Sequence, residues 1–239
     1  MSYYTPALVS VGGGTIVKST SGSTIAITPI STVRAYDLVI AVGYTSVDAT
    51  QVADAGDGWV LLDAGYDSVN SFGIFIMGCI AVRNGTGYAG LTLPTAGAYT
   101  AIPIAYRIPP PYRFDLSLRA SSTGWFNATA SATALDAPAI LQPYAQCIDI
   151  IARGYNNGGT TTTVAAVTGF TERQDNGQIS PPHGVVINER TVKNASQNPA
   201  VTSALAVAKT NRAGVRAMIG IVGNTTNRGR YMSSRRVGG

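Results

Sequence analysis

The strongest constraint on this chain is a stretch that occurs twice. Residues 36–77 read YDLVIAVGYTS, a polar loop ending at Gly58-Trp59, then WVLLDAGYDS and SFGIFIM. Each apolar run is short, rich in Val and Ile, and closed by Gly, Asp or Ser, which is the pattern of buried strands and not of helices. Shifting the chain by 111 residues lays Ile40, Ala41, Gly43, Tyr44 and Thr50 on Ile151, Ala152, Gly154, Tyr155 and Thr161. At the same shift Gly58-Trp59 falls on Gly169-Phe170, and Gly73 and Ile76 fall on Gly184 and Ile187. A constant offset at three separated landmarks marks an internal pseudo-repeat. Its period exceeds the roughly 20–50 residues of a solenoid repeat and suits two halves of one sandwich.

The rest of the chain keeps to the same pattern. Alternating or apolar runs predict strands over 24–28, 36–44, 59–63, 72–83, 91–93 and 101–108, then over 114–120, 125–134, 147–155, 169–173, 185–192, 204–208 and 215–222. Pro109-Pro110-Pro111 offers no ladder donor and marks the join between the halves. Residues 199–209 are Ala-rich enough for a short helix, but Val201, Ser203, Leu205 and Val207 alternate and favour a strand. No amphipathic helix of useful length is visible. The expected fold is an all-β, antiparallel, jelly-roll-like β-sandwich built from two pseudo-repeats, with little or no helix. It places residues 1–223 in a single domain, with halves at about 15–108 and 112–223, followed by a basic C-terminal arm at 224–239.

At 239 residues the chain is long enough to bury a core without disulfides or metals. Charged residues are only 12%, which argues against disorder and fits a surface of Thr, Ser, Asn and Gly. Cys79 and Cys147 both sit in apolar sequence and read as buried thiols, with a bridge between them left open. The start, MSYYTPALVSVGGG, lacks the basic and apolar segments of an export leader, and no apolar run reaches membrane-spanning length. A soluble protein made in a cytoplasm is expected.

Chemistry is sparse. His183, the one histidine, lies in the turn-like SPPHG without a second His for a zinc site. Neither cysteine belongs to a CxxC, and no GxSxG, P-loop or GxGxxG occurs. Gly12-Gly13-Gly14 precedes a strand, so it offers no helix N-terminus to a phosphate. Asp48, Asp54 and Asp57 do not follow a calcium-loop pattern and read as a solvated loop. The sequons at Asn84, Asn127, Asn194 and Asn224 are expected by chance in so Thr-rich a chain. No catalytic residue, cofactor or metal is predicted, and the chain is not expected to be an enzyme. Tyr3, Tyr4, Tyr66, Tyr88, Tyr99 and Trp125 supply aromatic faces that would suit sugar rings if they stood free.

The last segment, NTTNRGRYMSSRRVGG, has four arginines and no acid. Removing it takes the net charge from +5 to +1 (5 minus 4), so Arg228, Arg230, Arg235 and Arg236 carry most of the basicity. These four are the candidate subunit-interface residues, forming an arm that orders against a neighbouring subunit or else stays a solvated end. Nucleic acid is not expected as a partner, because no basic globular face supports the arm.

The repeated strands carry a resemblance. DLVIAVGY, GWVLLDAG and SFGIFIMGCIAVRN in the first half, with CIDIIARGY, TGFTERQDNG and HGVVINERTV in the second, resemble a β-sandwich domain of virion proteins from tailed bacteriophages. The likeness is strongest to minor tail proteins of phages infecting actinobacteria and covers about residues 20–222. Gly169-Phe170-Thr171-Glu172-Arg173 fits most closely, while Gly58-Trp59 departs by having Val60 where Thr is common. The resemblance implies a virion structural protein, a minor tail protein first, in contact with other virion proteins and with copies of itself, and assembled in the host cytoplasm. A head decoration or head-fibre protein is the alternative within that class. A carbohydrate-binding adhesion module recognising host-surface glycans through Trp125 or Tyr66 is the alternative outside it. The family has no catalytic residues to carry over.

Overall fold

The computed structural model describes residues 9–13, 16–27, 30–82, 84, 90–122, 124–141, 146–156, 162–177, 183–192 and 197–223. The first half forms β1 (Val9–Gly13), β2 (Val17–Ala26), β3 (Leu38–Thr45), β4 (Ala53–Asp54), β5 (Val60–Asp67), β6 (Phe72–Ile80) and β7 (Gly90–Arg107). The second half forms β8 (Tyr112–Ser121), β9 (Phe126–Ala128), β10 (Ala132–Ala137), β11 (Ile140–Leu141), β12 (Cys147–Asn156), β13 (Thr171–Gly177), β14 (His183–Val192), β15 (Gln197–Asn198) and β16 (Val201–Gly223). Among the described residues, the one helical element is the 3-10 turn Ala49–Gln51, capped by the Asp48 carboxylate. The ladders are antiparallel throughout. Residues 201–209 are strand, so the helical alternative there is not taken, and 204–208 and 215–222 merge into the single strand β16.

One sheet runs β1-β7-β3-β6-β5, with β2 and β4 also on β7, and the other runs β10-β16-β12-β14-β13, with β8 and β9 also on β16. Their facing sides share one core. Leu38, Ile40 and Val42 of β3, Ile74 and Ile76 of β6, and Ile102, Ile104 and Tyr106 of β7 meet Ile148 and Ile150 of β12, Val185 and Ile187 of β14, and Val215, Ala217 and Ile219 of β16. Period-two side chains point these residues to one face, and neither sheet can bury that face without the other. Asp63 of β5 ties the layers at one side, where its carboxylate accepts from the Arg216 amide at 2.9 Å and from the Ser122 hydroxyl. A jelly roll would cross repeatedly between sheets. Here β1 to β7 complete one sheet before β8 begins the other, so the expected jelly-roll connectivity is not seen.

The strands β3, β6, β12 and β14 are buried almost end to end because each sheet is also covered outside. In the first half, β2 and the start of β7 fold back, and Ile25, Leu91 and Leu93 pack on Val39, Ala41, Phe75 and Met77. In the second, β10 and the start of β16 do the same over β12 and β14, where Leu135 and Leu205 meet Tyr155 and Val186. The fold-back in β16 falls at Asn211, which adopts φ 46° beside a register shift in the β12 ladder.

The halves match in detail. The ladder between β5 and β6 slips between Leu61 and Asp63, and that between β13 and β14 slips between Glu172 and Gln174, positions 111 apart. Gly58 and Gly169 both sit at φ +80°, a left-handed conformation that an L side chain rarely takes. At the central strand the equivalence moves by one. Ile40 lies opposite Gly78, and Ile150, not Ile151, lies opposite Glu189, the counterpart of Gly78. A slip of one residue reverses the face. Ala41 therefore points outward and Ala152 inward, while Tyr44 joins the shared core and Tyr155 the outer cluster.

Candidate interaction site

The reactive side chains that sequence singles out are built into the packing. His183 opens β14 and is buried between the sheets, with Nε2 2.9 Å from the Thr100 hydroxyl and its ring 3.3 Å from that of Tyr44. Burial pushes the imidazole down to about 3 and, with a smaller contribution from Tyr66, the Tyr44 phenol up to about 12. Cys79 and Cys147 are both free thiols, pushed up to about 12, first by burial and then by nearby carboxylates. They lie in separate outer clusters, one on each sheet, so no bridge joins them.

The outer layer of the second sheet is ionic where that of the first is apolar. Asp149 of β12 accepts from Arg216 Nε at 2.8 Å and Nη2 at 2.7 Å, and from Arg190 Nε at 2.9 Å. Arg216 Nη1 reaches out to the Pro199 carbonyl at 2.8 Å, and Arg190 Nη2 to Asn198 Oδ1 at 2.6 Å. Arg153 donates to Asn188, Ser203 and the Leu135 carbonyl, and Arg212 to the Ala134 and Ala130 carbonyls. These guanidinium groups hold the fold-back cover onto the sheet by satisfying its carbonyls. Phe170 completes the layer, its ring 4.3 Å from the Arg190 guanidinium carbon and 5.7 Å from that of Arg216. Its repeat partner, Trp59, caps an apolar cluster instead. Asp149, Arg153 and Arg216 carry no signal of this layer in the sequence, because polar residues alternating in a strand look like a solvent face.

The open feature lies at the other end of β3. A cleft of about 510 Å3 forms where the segment before β3 meets the turn from β7 to β8, and its lining includes Arg34, Tyr36, Asp37, Arg107, Tyr112 and Arg113. Asp37 is buried and holds Arg107 by two bonds, from Nε at 2.9 Å and Nη2 at 2.6 Å, while Arg107 Nη2 also donates to the Thr32 carbonyl at 2.9 Å. The Arg34 amide donates to Asp37 Oδ2 at 2.7 Å, the Asp37 amide to the Arg34 carbonyl, and the Tyr36 amide to the Ala81 carbonyl. Together they close a tight turn with Tyr36 at φ 73°, a position that glycine usually fills. Tyr36 is nonetheless 76% exposed, so the fold holds a large aromatic in a costly conformation at the rim. Arg34 and Arg113 are exposed, and neither pairs with an acid among the described residues.

The other candidates fall as follows. Arg228, Arg230, Arg235 and Arg236 lie outside the described residues, as do Tyr3, Tyr4, Tyr88, Asn194 and Asn224. Trp125 is half-buried, packed against the shared core and over Gly65, where a Cβ would have no room. Tyr66 packs on the first outer cluster, and Tyr99 is buried with its hydroxyl donating to the Thr24 carbonyl at 2.8 Å. Asp48 and Asp54 are turned inward on their own loop. The Thr50 hydroxyl leads in holding Asp48 below the usual carboxylate range. Burial raises Asp54, but the amides of Asp57, Gly58 and Gly56 outweigh it. Among the described residues no three His, Cys, Asp or Glu side chains converge. In comparisons with known proteins, the chain matches no family model, no curated protein and no solved structure.

Proposed function

We propose that this chain is a structural protein of a tailed-phage virion, a minor tail protein in the reading that the sequence resemblance favours, and that it works through protein–protein contacts and not catalysis. One observation carries the reading. The side chains most able to do chemistry, His183, Cys79, Cys147 and Asp149, are consumed inside the layers, whereas Tyr36, Arg34 and Arg113 are spent on the surface, Tyr36 at a cost in backbone strain. A scaffold that locks its titratable groups away and presents an aromatic with arginines is built to hold partners, since Tyr and Arg are the residues enriched where proteins meet. Contacts with other virion proteins and with further copies of the chain belong to the same proposal, as does assembly in the host cytoplasm. The test is to purify particles made by the genome that encodes the chain and to locate the protein by mass spectrometry of separated heads and tails. Enrichment in tails is expected. Its presence on heads alone would move it to a decoration role, and its absence from both would overturn the proposal.

A further inference from the structure

We propose that the cleft beside β3 is a docking site for an acidic peptide segment of a partner protein, whose carboxylates pair with Arg34 and Arg113 across the Tyr36 ring. The lining holds three arginines and one aspartate, an excess of two positive charges (3 minus 1). The Asp37 charge is already consumed by Arg107, which it fixes as one wall. Arg34 and Arg113 therefore reach the opening with their charge uncompensated on the lining, and Arg113 is close enough to help hold Asp115 low after the Ser117 bond and backbone have acted. Arginine's planar fork matches a carboxylate with two parallel bonds, and Tyr36 offers an apolar face to the stem of an adjacent residue. The volume lies within the 300–1,000 Å3 typical of ligand clefts, enough for a short segment and too small for a folded domain's face.

A nucleic acid would need a longer basic track. Residues 38–82, which continue from the cleft along β3 to β6, contain five acids and no Lys, Arg or His, and residues 1–223 as a whole carry +1 (5 minus 4). Without such a track an extended phosphate backbone gains little, while the local excess serves a few carboxylates. The inference rests on the proposed role only in taking a protein as the partner. It is tested on the isolated chain, so failure here and absence from particles are separate results.

The probe is a short fluorescein-labelled peptide alternating Glu and Val, read by anisotropy at low and at physiological salt against its Gln–Val counterpart and a short oligothymidylate. The Glu peptide is expected to bind, with affinity falling as salt rises, and the Gln peptide is not. Arg34→Ala with Arg113→Ala should weaken binding by about tenfold or more at an unchanged melting temperature. Tyr36→Gly should weaken it several-fold in a protein at least as stable as the parent. Equal binding of the Gln peptide, no binding of either peptide, or wild-type affinity in the double variant would overturn the proposal. Tighter binding of the oligothymidylate would reassign the cleft to a polyphosphate.

Discussion

Asp149 and Arg216 lie diagonally across adjacent strands with both side chains wholly out of solvent, joined by two bonds of 2.8 and 2.7 Å. The pair is the hinge of the ionic layer, because Arg216 also satisfies a carbonyl of the cover and Asp149 also holds Arg190. Asp149→Ala leaves the Arg216 guanidinium without its anion in a dry layer and unties the part-exposed Arg190, and should destabilise by about 3–5 kcal/mol in urea unfolding. Replacing both partners with Leu or Met of similar volume should cost much less than the single change. A double variant as unstable as Asp149→Ala would show that the layer depends on the remaining arginines and not on this pair.

Acid should unfold the protein through His183. Its imidazole falls from its usual 6.5 to about 3 in the fold because burial penalises the charged form. The unfolded chain therefore takes up a proton below 6.5 that the native state refuses until about 3, so stability is full above 6.5 and is lost as pH falls through that window. The slope approaches about 1.4 kcal/mol per pH unit. Asp63 acts the other way from its usual 3.8 upward, since burial raises it in the fold. His183→Gln, which retains a hydrogen-bonding group for Thr100, removes the histidine's share and should flatten the loss between pH 6.5 and 4. Parallel urea midpoints for parent and variant across that window would refute this.

Both thiols should be silent in the native protein. Cys79 and Cys147 are buried, pushed up to about 12 and held on different sheets, so little thiolate exists at neutral pH and none is reachable. A chromogenic disulfide reagent should titrate two thiols only in denaturant, and reducing agents should leave the melting temperature unchanged. Fast reaction of either thiol under native conditions would contradict the packing.

Trp125 is a structural residue before it is anything else. Its ring lies over the Gly65 backbone and against the shared core, so Trp125→Ala should destabilise by about 2–3 kcal/mol. A glycan-binding defect in that variant would be uninterpretable unless its melting temperature were matched. An unchanged melting temperature would show that the ring does not pack as the structure has it.

Much of this architecture is legible in the sequence, and the failures have physical causes. The offset of 111 is carried into space at Gly58 by a positive φ, after Leu61 by a bulge, and at Gly73 and Gly184 by neighbours that leave no room for a Cβ. The same offset at Ile40-Ala41 misplaces the strand by one residue. Apolar residues on both faces of a doubly covered strand leave nothing in the sequence to fix the parity. The ionic layer stayed hidden for a related reason. CIDIIARGY has the alternation of a half-exposed strand, and only the β10 and β16 segments on either side of it in the chain reveal that Asp149 and Arg153 are roofed over. The cleft was invisible because it joins residues 34–37 to 107–113, and nothing in YDLV signals that Tyr36 turns left-handed.

Among the described residues, the chain passes between the two sheets at one place, residues 108–111. In effect the molecule is a dimer whose protomers have been tied together. Both inner faces are rich in Ile, so each half could also cover a second copy of itself, though less well, because Tyr44, Phe72 and Tyr106 of the first half are matched by the small Ala152, Ala213 and Ala217 of the second. The short tether settles the choice by effective concentration, keeping the correct partner always nearest. A chain severed within 109–111 would lose that advantage, and its folding would become a bimolecular reaction with mispaired homodimers as the competing products.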